Sequence, residues 1–378
     1  MLFRELQKQT VCRWLLLGAA AVASAIAIKS TIEPSFATPP SSLPNTHTSI
    51  VTKQSETQQN VTTGKIAIKP QFDEAENFSE GLALVRINSK YGYIDKNGKM
   101  VVKPQFDFAD NFSDGLARVM INYQWGYIDK TGNFVIEPQF DVGDNFYEGL
   151  AIVKVGSKMS YIDKTGKVVI QRKFVYPQRF SEGLAAVKIG DKYGYIDKTG
   201  KVAIKPQFDD AGNFSGGMAI VGIGEFNLGY IDKTGKVVIK PQFNEAAPFQ
   251  EGLAMVKIGS KYSYIDKNGK IVIQIEPYNG PNGEFSTGAA PFNEGLATVL
   301  VRSQWGSIDK TGKIIIEPQS EEPYLFSEGL AAVKIGSKWG YIDKTGKMII
   351  QPQFDAAEKF SQGRARVKIG SKWGYITN

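Results

Sequence analysis

The stretch GLAAVKIGSKWGYIDKTGKMIIQPQF, from Gly329 to Phe354, holds the local rules of the whole chain. Ala331, Val333 and Ile335 alternate with Leu330, Ala332 and Lys334, the period-2 pattern of a strand with one buried face. A tight Gly336-Ser337-Lys338 turn leads into a second strand, Trp339 to Asp343. DKTGK then makes another short turn, with Gly346 where a hairpin needs positive φ. A third strand, Lys347 to Gln351, is expected to stop at Pro352, which has no N–H to give to a ladder. The FDAAEKFSQG segment after it reads as a connection. The unit is therefore a three-stranded antiparallel meander plus a loop.

The same unit recurs along the chain. GYID or a close relative places an aspartate at Asp95, Asp129, Asp163, Asp197, Asp232, Asp266, Asp309 and Asp343, with Thr377 in the ninth slot. Successive spacings are 34, 34, 34, 35, 34, 43, 34 and 34 residues. The glycine of EGLA returns in step at Gly81, Gly115, Gly149, Gly183, Gly217, Gly252, Gly295, Gly329 and Gly363. A fixed period in this range marks a repeat architecture, and it overrides the two or three domains that 378 residues would otherwise suggest. One unit has too few apolar positions to offset the entropy of ordering its backbone, so neighbours must cover each other's apolar faces.

With EGLAxV upstream and PQFDxAxxFSEG downstream, the KWGYIDKTGKVVI-like segment resembles the WG-repeat (KWG-repeat) family of bacterial proteins. The resemblance spans residues 64–378 in nine consecutive copies. It implies a β-rich repeat protein, often exported, with no known common cofactor. The slot that names the family holds tryptophan at Trp125, Trp305, Trp339 and Trp373, and elsewhere Tyr91, Met159, Tyr193, Leu228 and Tyr262. The next glycine is replaced by Ser160 and Ser263 in two copies.

The array opens with a third-type strand, KIAIKPQF from Lys65 to Phe72, and closes on first- and second-type strands ending at Asn378. In a closed, propeller-like ring the opening strand would complete the last unit and remove the free edge. Three strands per unit are fewer than a usual blade has, and nine units more than usual. The expectation is thus an all-β tandem array of nine ~34-residue meanders, with an open curved solenoid preferred over the ring.

Upstream, Arg4, Lys8 and Arg13 precede an uncharged run from Trp14 to Ile28, whose length of 15 residues suits a signal-peptide core and is short for a spanning helix. Residues 1–29 are read as an N-terminal hydrophobic signal helix, with an uncleaved inner-membrane anchor as the alternative. Residues 30–63, rich in Pro, Ser, Thr and Gln, are read as a disordered linker. The β-repeat domain occupies 64–378. The leader implies export to the periplasm or beyond.

Composition excludes several chemistries. One cysteine, Cys12, forbids an internal disulfide, and one histidine, His47, lies in the linker. Zinc sites and nucleophile–histidine pairs therefore lack their residues. The repeated aspartates read as turn formers rather than calcium ligands, because their loops lack enough oxygens. No catalytic residue, metal site or cofactor is expected. The repeat region carries 40 Lys plus Arg against 35 Asp plus Glu, a mild positive balance spread over solvated hairpins. Trp125, Trp305, Trp339 and Trp373 are the candidate binding residues, as a stripe for a sugar or a partner chain. Met159 and Leu228 in the same slot favour packing between units. The resulting expectation is a non-catalytic binding or scaffold protein of the cell envelope, with a protein or glycan partner, no nucleic acid, and membrane contact only through an uncleaved leader. A glycan-active enzyme using Glu276 and Glu284 in the longest insertion, Ile275 to Pro291, is the rival. A purely structural spacer is a third.

Overall fold

The computed structural model describes residues 64–378 except 172, 173, 175, 225, 226, 277, 280–284 and 287. The leader, the linker and Glu284 lie outside the described residues. Within them every element is a strand.

The first strand, β1 (Lys65–Phe72), does not pair with its neighbours in sequence. The next four, β2 (Glu74–Ala75), β3 (Leu82–Ile87), β4 (Lys90–Asp95) and β5 (Met100–Phe106), form one antiparallel sheet in sequence order. That sheet is blade 1, and equivalent sheets continue along the chain as blades 2 to 9. Six blades have four strands, while blades 3, 4 and 8 have three. In blade 3 the short first strand shrinks to a single bridge, Gly143 with Val153. The expected three-stranded unit is corrected accordingly: the supposed connection carries a two-residue strand, such as Ala356–Ala357.

Blade 9 corrects the expected open solenoid. Its strands Ala356–Ala357, Ala365–Ile369 and Lys372–Thr377 are completed by β1 from the other end of the repeat region. Lys65 pairs with Thr377, Ile66 with Ile376 and Phe72 with Trp373. Nine blades thus close into a propeller-like ring. Closure is driven by the same kind of apolar contact that joins the other blades. Ile68, Phe72 and Tyr375 of blade 9 pack on Ala75, Phe78, Ala83, Val85 and Ile94 of blade 1. An open array would leave that surface and a strand edge in water.

The core is divided among the seams. Each apolar cluster joins one blade to the next, as where Leu84, Tyr93 and Phe106 of blade 1 meet Phe112, Val119 and Ile128 of blade 2. Blades are covered on both sides, so Leu82, Ala83, Leu84 and Val85 are all buried. The expected single buried face is wrong for this reason.

The tyrosine of GYID is the main seam filler. Tyr127 packs edge-on against Phe146 of the next blade at 4.9 Å between centroids, and its Oη donates to the Asp144 carbonyl at 2.7 Å. Tyr375 repeats this across the closure, donating to the Glu76 carbonyl at 2.7 Å. Burial pushes these phenols far above the ordinary value, so they remain donors.

The fourth strand of most blades runs on through its proline instead of stopping, because the proline sits at a bulge. That bulge presses on the glycine after the aromatic slot. A Cβ on Gly92 would lie 2.5 Å from the Val102 carbonyl oxygen and 2.7 Å from the Pro104 nitrogen. Ser160 and Ser263 occupy this position in blades 3 and 6, whose fourth strands carry no such proline. Blade 6 accordingly keeps regular register there, Ser263 opposite Gln274. In blade 9 the glycine is Gly374 and its proline is Pro70, at opposite ends of the repeat region.

Candidate functional site

Antiparallel order puts the turns at two ends of the ring. The turns between first and second strands (EGL) and between third and fourth (DKTG) share one end. The GSK turns and the connections between blades share the other. The EGL turns touch one another in a circle: Ser79 Oγ donates to the Phe112 carbonyl at 2.7 Å, and Ser361 Oγ to the Phe78 carbonyl at 2.8 Å. These first strands and turns form the innermost circle, and the fourth strands form the outer rim.

The aspartates of GYID sit in the turns, as expected. Asp129 Oδ1 accepts from the Thr131 and Asn133 amides, at 2.9 and 3.0 Å, and from Thr131 Oγ1 at 2.6 Å. The Thr131 hydroxyl, against a modest effect of burial, holds this carboxyl below its ordinary value. Its acceptor capacity is used locally, on amides and a hydroxyl.

The aromatic slot lies at the start of each third strand, near the GSK end. All four tryptophans are half-buried at the margin of a seam. They are not equivalent. Arg118 covers Trp125 with its guanidinium carbon 4.1 Å from the ring centroid, and Arg366 covers Trp373 at 5.2 Å. Position 118 corresponds to Thr298 in blade 7 and Ala332 in blade 8, so no arginine stands at that position beside Trp305 or Trp339.

Blade 7 is also where the repeat is rewritten. Ser307 stands in the GYID tyrosine slot and Ser320 in the PQF phenylalanine slot, both buried. Trp305 is therefore opposite Ser320, whereas Trp339 is opposite Phe354. Two rings are missing from the seam with blade 8. Tyr324, only 3% exposed, packs there instead, and Thr298 Oγ1 donates to the Tyr324 carbonyl at 2.6 Å. That carbonyl is the counterpart of the one the missing tyrosine would have met. The repair is incomplete: Ser307 Oγ is buried with no partner among the described residues, and a trench of about 540 Å³ runs along the seam past Ser320, Tyr324, Val333 and Lys334. The signal in the sequence is the pair Ser307 and Ser320, which is less conspicuous than the longer insertion just before it.

Within the insertion, Glu276 is exposed and bonds to Lys261 at 3.0 Å and to Gln274 at 2.6 Å. The Lys261 ammonium holds its carboxyl below the ordinary value, the wrong direction for a general acid at neutral pH. Its suggested companion Glu284 lies outside the described residues. Among the described residues no group of three or more His, Cys, Asp or Glu is placed to hold a metal ion.

Comparison with known proteins bears on the fold. A solved eukaryotic initiation factor is 12% identical and superposes with a TM-score of 0.54 over 83% of this chain and 92% of its own. BamB from Moraxella catarrhalis is 9% identical, with a TM-score of 0.44 over 75% of this chain and 98% of its own. Hsv2p of Kluyveromyces lactis is 9% identical, with a TM-score of 0.39 over 62% of this chain and 91% of its own. No match is found among curated proteins. The model described as WG containing repeat matches residues 62–91, 91–125, 125–158, 159–193, 193–225, 229–262, 262–276, 305–339 and 339–373, leaving out the insertion and the start of blade 7. These matches span most of the ring, and the chain belongs to the WG containing repeat family.

Proposed function

We propose that this protein is a non-catalytic binding or scaffold protein of the cell envelope, exported by its leader, that holds a protein or glycan partner at the GSK end of blades 7 and 8. The observation that carries this reading is Trp305, half-buried, with no arginine over its ring among the described residues, and opposite Ser320 in the blade whose seam core is rewritten; Trp339, uncovered in the same way, follows in the next blade. A ring with nine near-equal seams has no internal reason to lose two aromatic fillers at one of them. A half-buried indole at the margin of a seam suits a sugar ring or an apolar side chain. The basic charge of the leader, with the apolar run behind it, supports export.

The test compares full-length variants Trp305→Leu and Trp339→Leu with Trp125→Leu and Trp373→Leu. Thermal unfolding and retention on immobilised envelope fractions are measured for each. Substituting either arginine-covered tryptophan should cost about 1–3 kcal/mol of stability and leave retention intact. Substituting either tryptophan without an arginine should lower retention several-fold; Trp339→Leu should also cost stability, because its ring packs on the seam with blade 9. Retention unchanged in all four variants would overturn the placement. Glycan hydrolysis lost on Glu276→Gln would overturn the non-catalytic reading.

A further inference from the structure

At the EGL end the blades are fastened by a repeated latch. A carboxylate in the turn of one blade accepts the glycine N–H in the turn of the next and pairs with the lysine of that next blade's DKTG turn. Glu148 accepts from the Glu182 and Gly183 amides at 2.6 and 3.0 Å and pairs with Lys198 at 3.1 Å. Glu294 accepts from Glu328 and Gly329 at 2.6 and 2.9 Å and pairs with Lys344 at 3.2 Å. Glu80, Asp114, Glu182 and Glu251 hold Lys130, Lys164, Lys233 and Lys310 in the same way. At two further seams only the amide is met, by Glu328 on Gly363 and by Gln362 on Gly81.

The seam between blades 5 and 6 has no latch. Its carboxylate slot is Gly216. The donors that would receive the carboxylate are nevertheless in place. Glu251 and Gly252 have φ of 51° and 89°, as Glu182 and Gly183 do at 54° and 87°, so their amides are presented in the same paired way. Lys267 occupies the lysine position, is exposed, and has no ion-pair partner among the described residues. Two convergent amides and an ammonium remain, arranged as at the seams where the same groups grip a carboxylate.

We infer that this seam is a receptor for an external carboxylate, which takes the place of the missing side chain by accepting from the Glu251 and Gly252 amides and pairing with Lys267. The occupant is an acidic side chain or the C-terminal carboxylate of a partner polypeptide. Both present the atoms that Glu148 presents to its own seam. The site is on the opposite end of the ring from Trp305 and Trp339, so it stands or falls independently of the binding surface proposed above. Charge-assisted bonds to paired amides make it selective for a carboxylate over a spherical anion.

The test uses the full-length chain with ¹⁵N-glycine labelling, so that Gly252 and the latched Gly183 are read together by amide chemical shift. The probes are an amidated, acetylated peptide with one glutamate, an acetylated peptide whose only acid is its C-terminus, and chloride at matched ionic strength. Gly252 should shift saturably with at least one peptide and Gly183 should not. Which peptide acts identifies the source. Lys267→Gln should weaken the response several-fold, and Gly216→Glu should shift Gly252 beforehand and abolish the response. A Gly252 amide that moves with neither peptide, or equally with chloride, overturns the inference. Because Lys267 is on an exposed turn, its variant keeps the test decisive even where Gly216→Glu folds poorly.

Discussion

A glycine without a side chain carries as much of this fold as any aromatic. Gly374 lies against Pro70, and a Cβ there would stand 2.6 Å from both the Ile68 carbonyl oxygen and the Pro70 nitrogen. Gly374→Ala should therefore cost about 1–3 kcal/mol by overpacking against backbone. Ser160→Ala is the contrasting change, since it removes a buried hydroxyl that has no partner among the described residues and should be nearly neutral or mildly stabilising. Thermal unfolding of the two variants beside the parent checks both. The pairing of glycine with a downstream proline, and of serine with its absence, is legible in the sequence. By that rule Gly374 and Pro70 already point to contact between the ends. The tryptophans are less legible. Their slot is plain, but whether an arginine lies over the ring depends on a neighbour in another strand.

Among elements, the strands were readable and their partners only partly so. Alternation identifies β3 and β4, yet it cannot show that both faces are covered, because the second cover comes from the preceding blade. The two-residue first strands are too short to leave a pattern. The inter-blade latches are equally hidden, since glutamates in EGL turns look like ordinary solvated turn residues until the next blade's lysine is placed. They make stability depend on acid. Burial alone would raise the Glu148 carboxyl, but Lys198 and the Gly183 and Glu182 amides outweigh it and hold it below the ordinary 4.5. Glu251 and Glu294 are held down alike. A carboxylate depressed in the folded state contributes stability that is fully present above its unfolded pKa and is lost as pH falls through the folded one. The unfolding midpoint should thus be steady above about pH 5 and drop progressively below about pH 4.5. Glu148→Gln should start lower at neutral pH and lose less on acidification. Equal slopes for variant and parent would contradict the latch.

For the whole molecule, the phase of the repeats carried the right alternative, since a fourth-strand sequence opens the array and blade 9 lacks one. Counting strands and blades against common propellers pointed the other way, because the short first strands were unseen and nine units seemed too many. Packing decides the matter: the seam between blades 9 and 1 buries the same kinds of side chain as the others and repeats their tyrosine bond. The most direct test places cysteines at Lys65 and Thr377, register partners across the closure, in a Cys12→Ser background so that no other thiol remains. Paired antiparallel residues lie about 4.5–5.5 Å apart at Cα, within reach of a disulfide. Mild oxidation of the dilute monomer should link them within one chain, giving a reducible, faster-migrating species in high yield. Two thiols that stay free, or that link only between molecules, would contradict the closed ring.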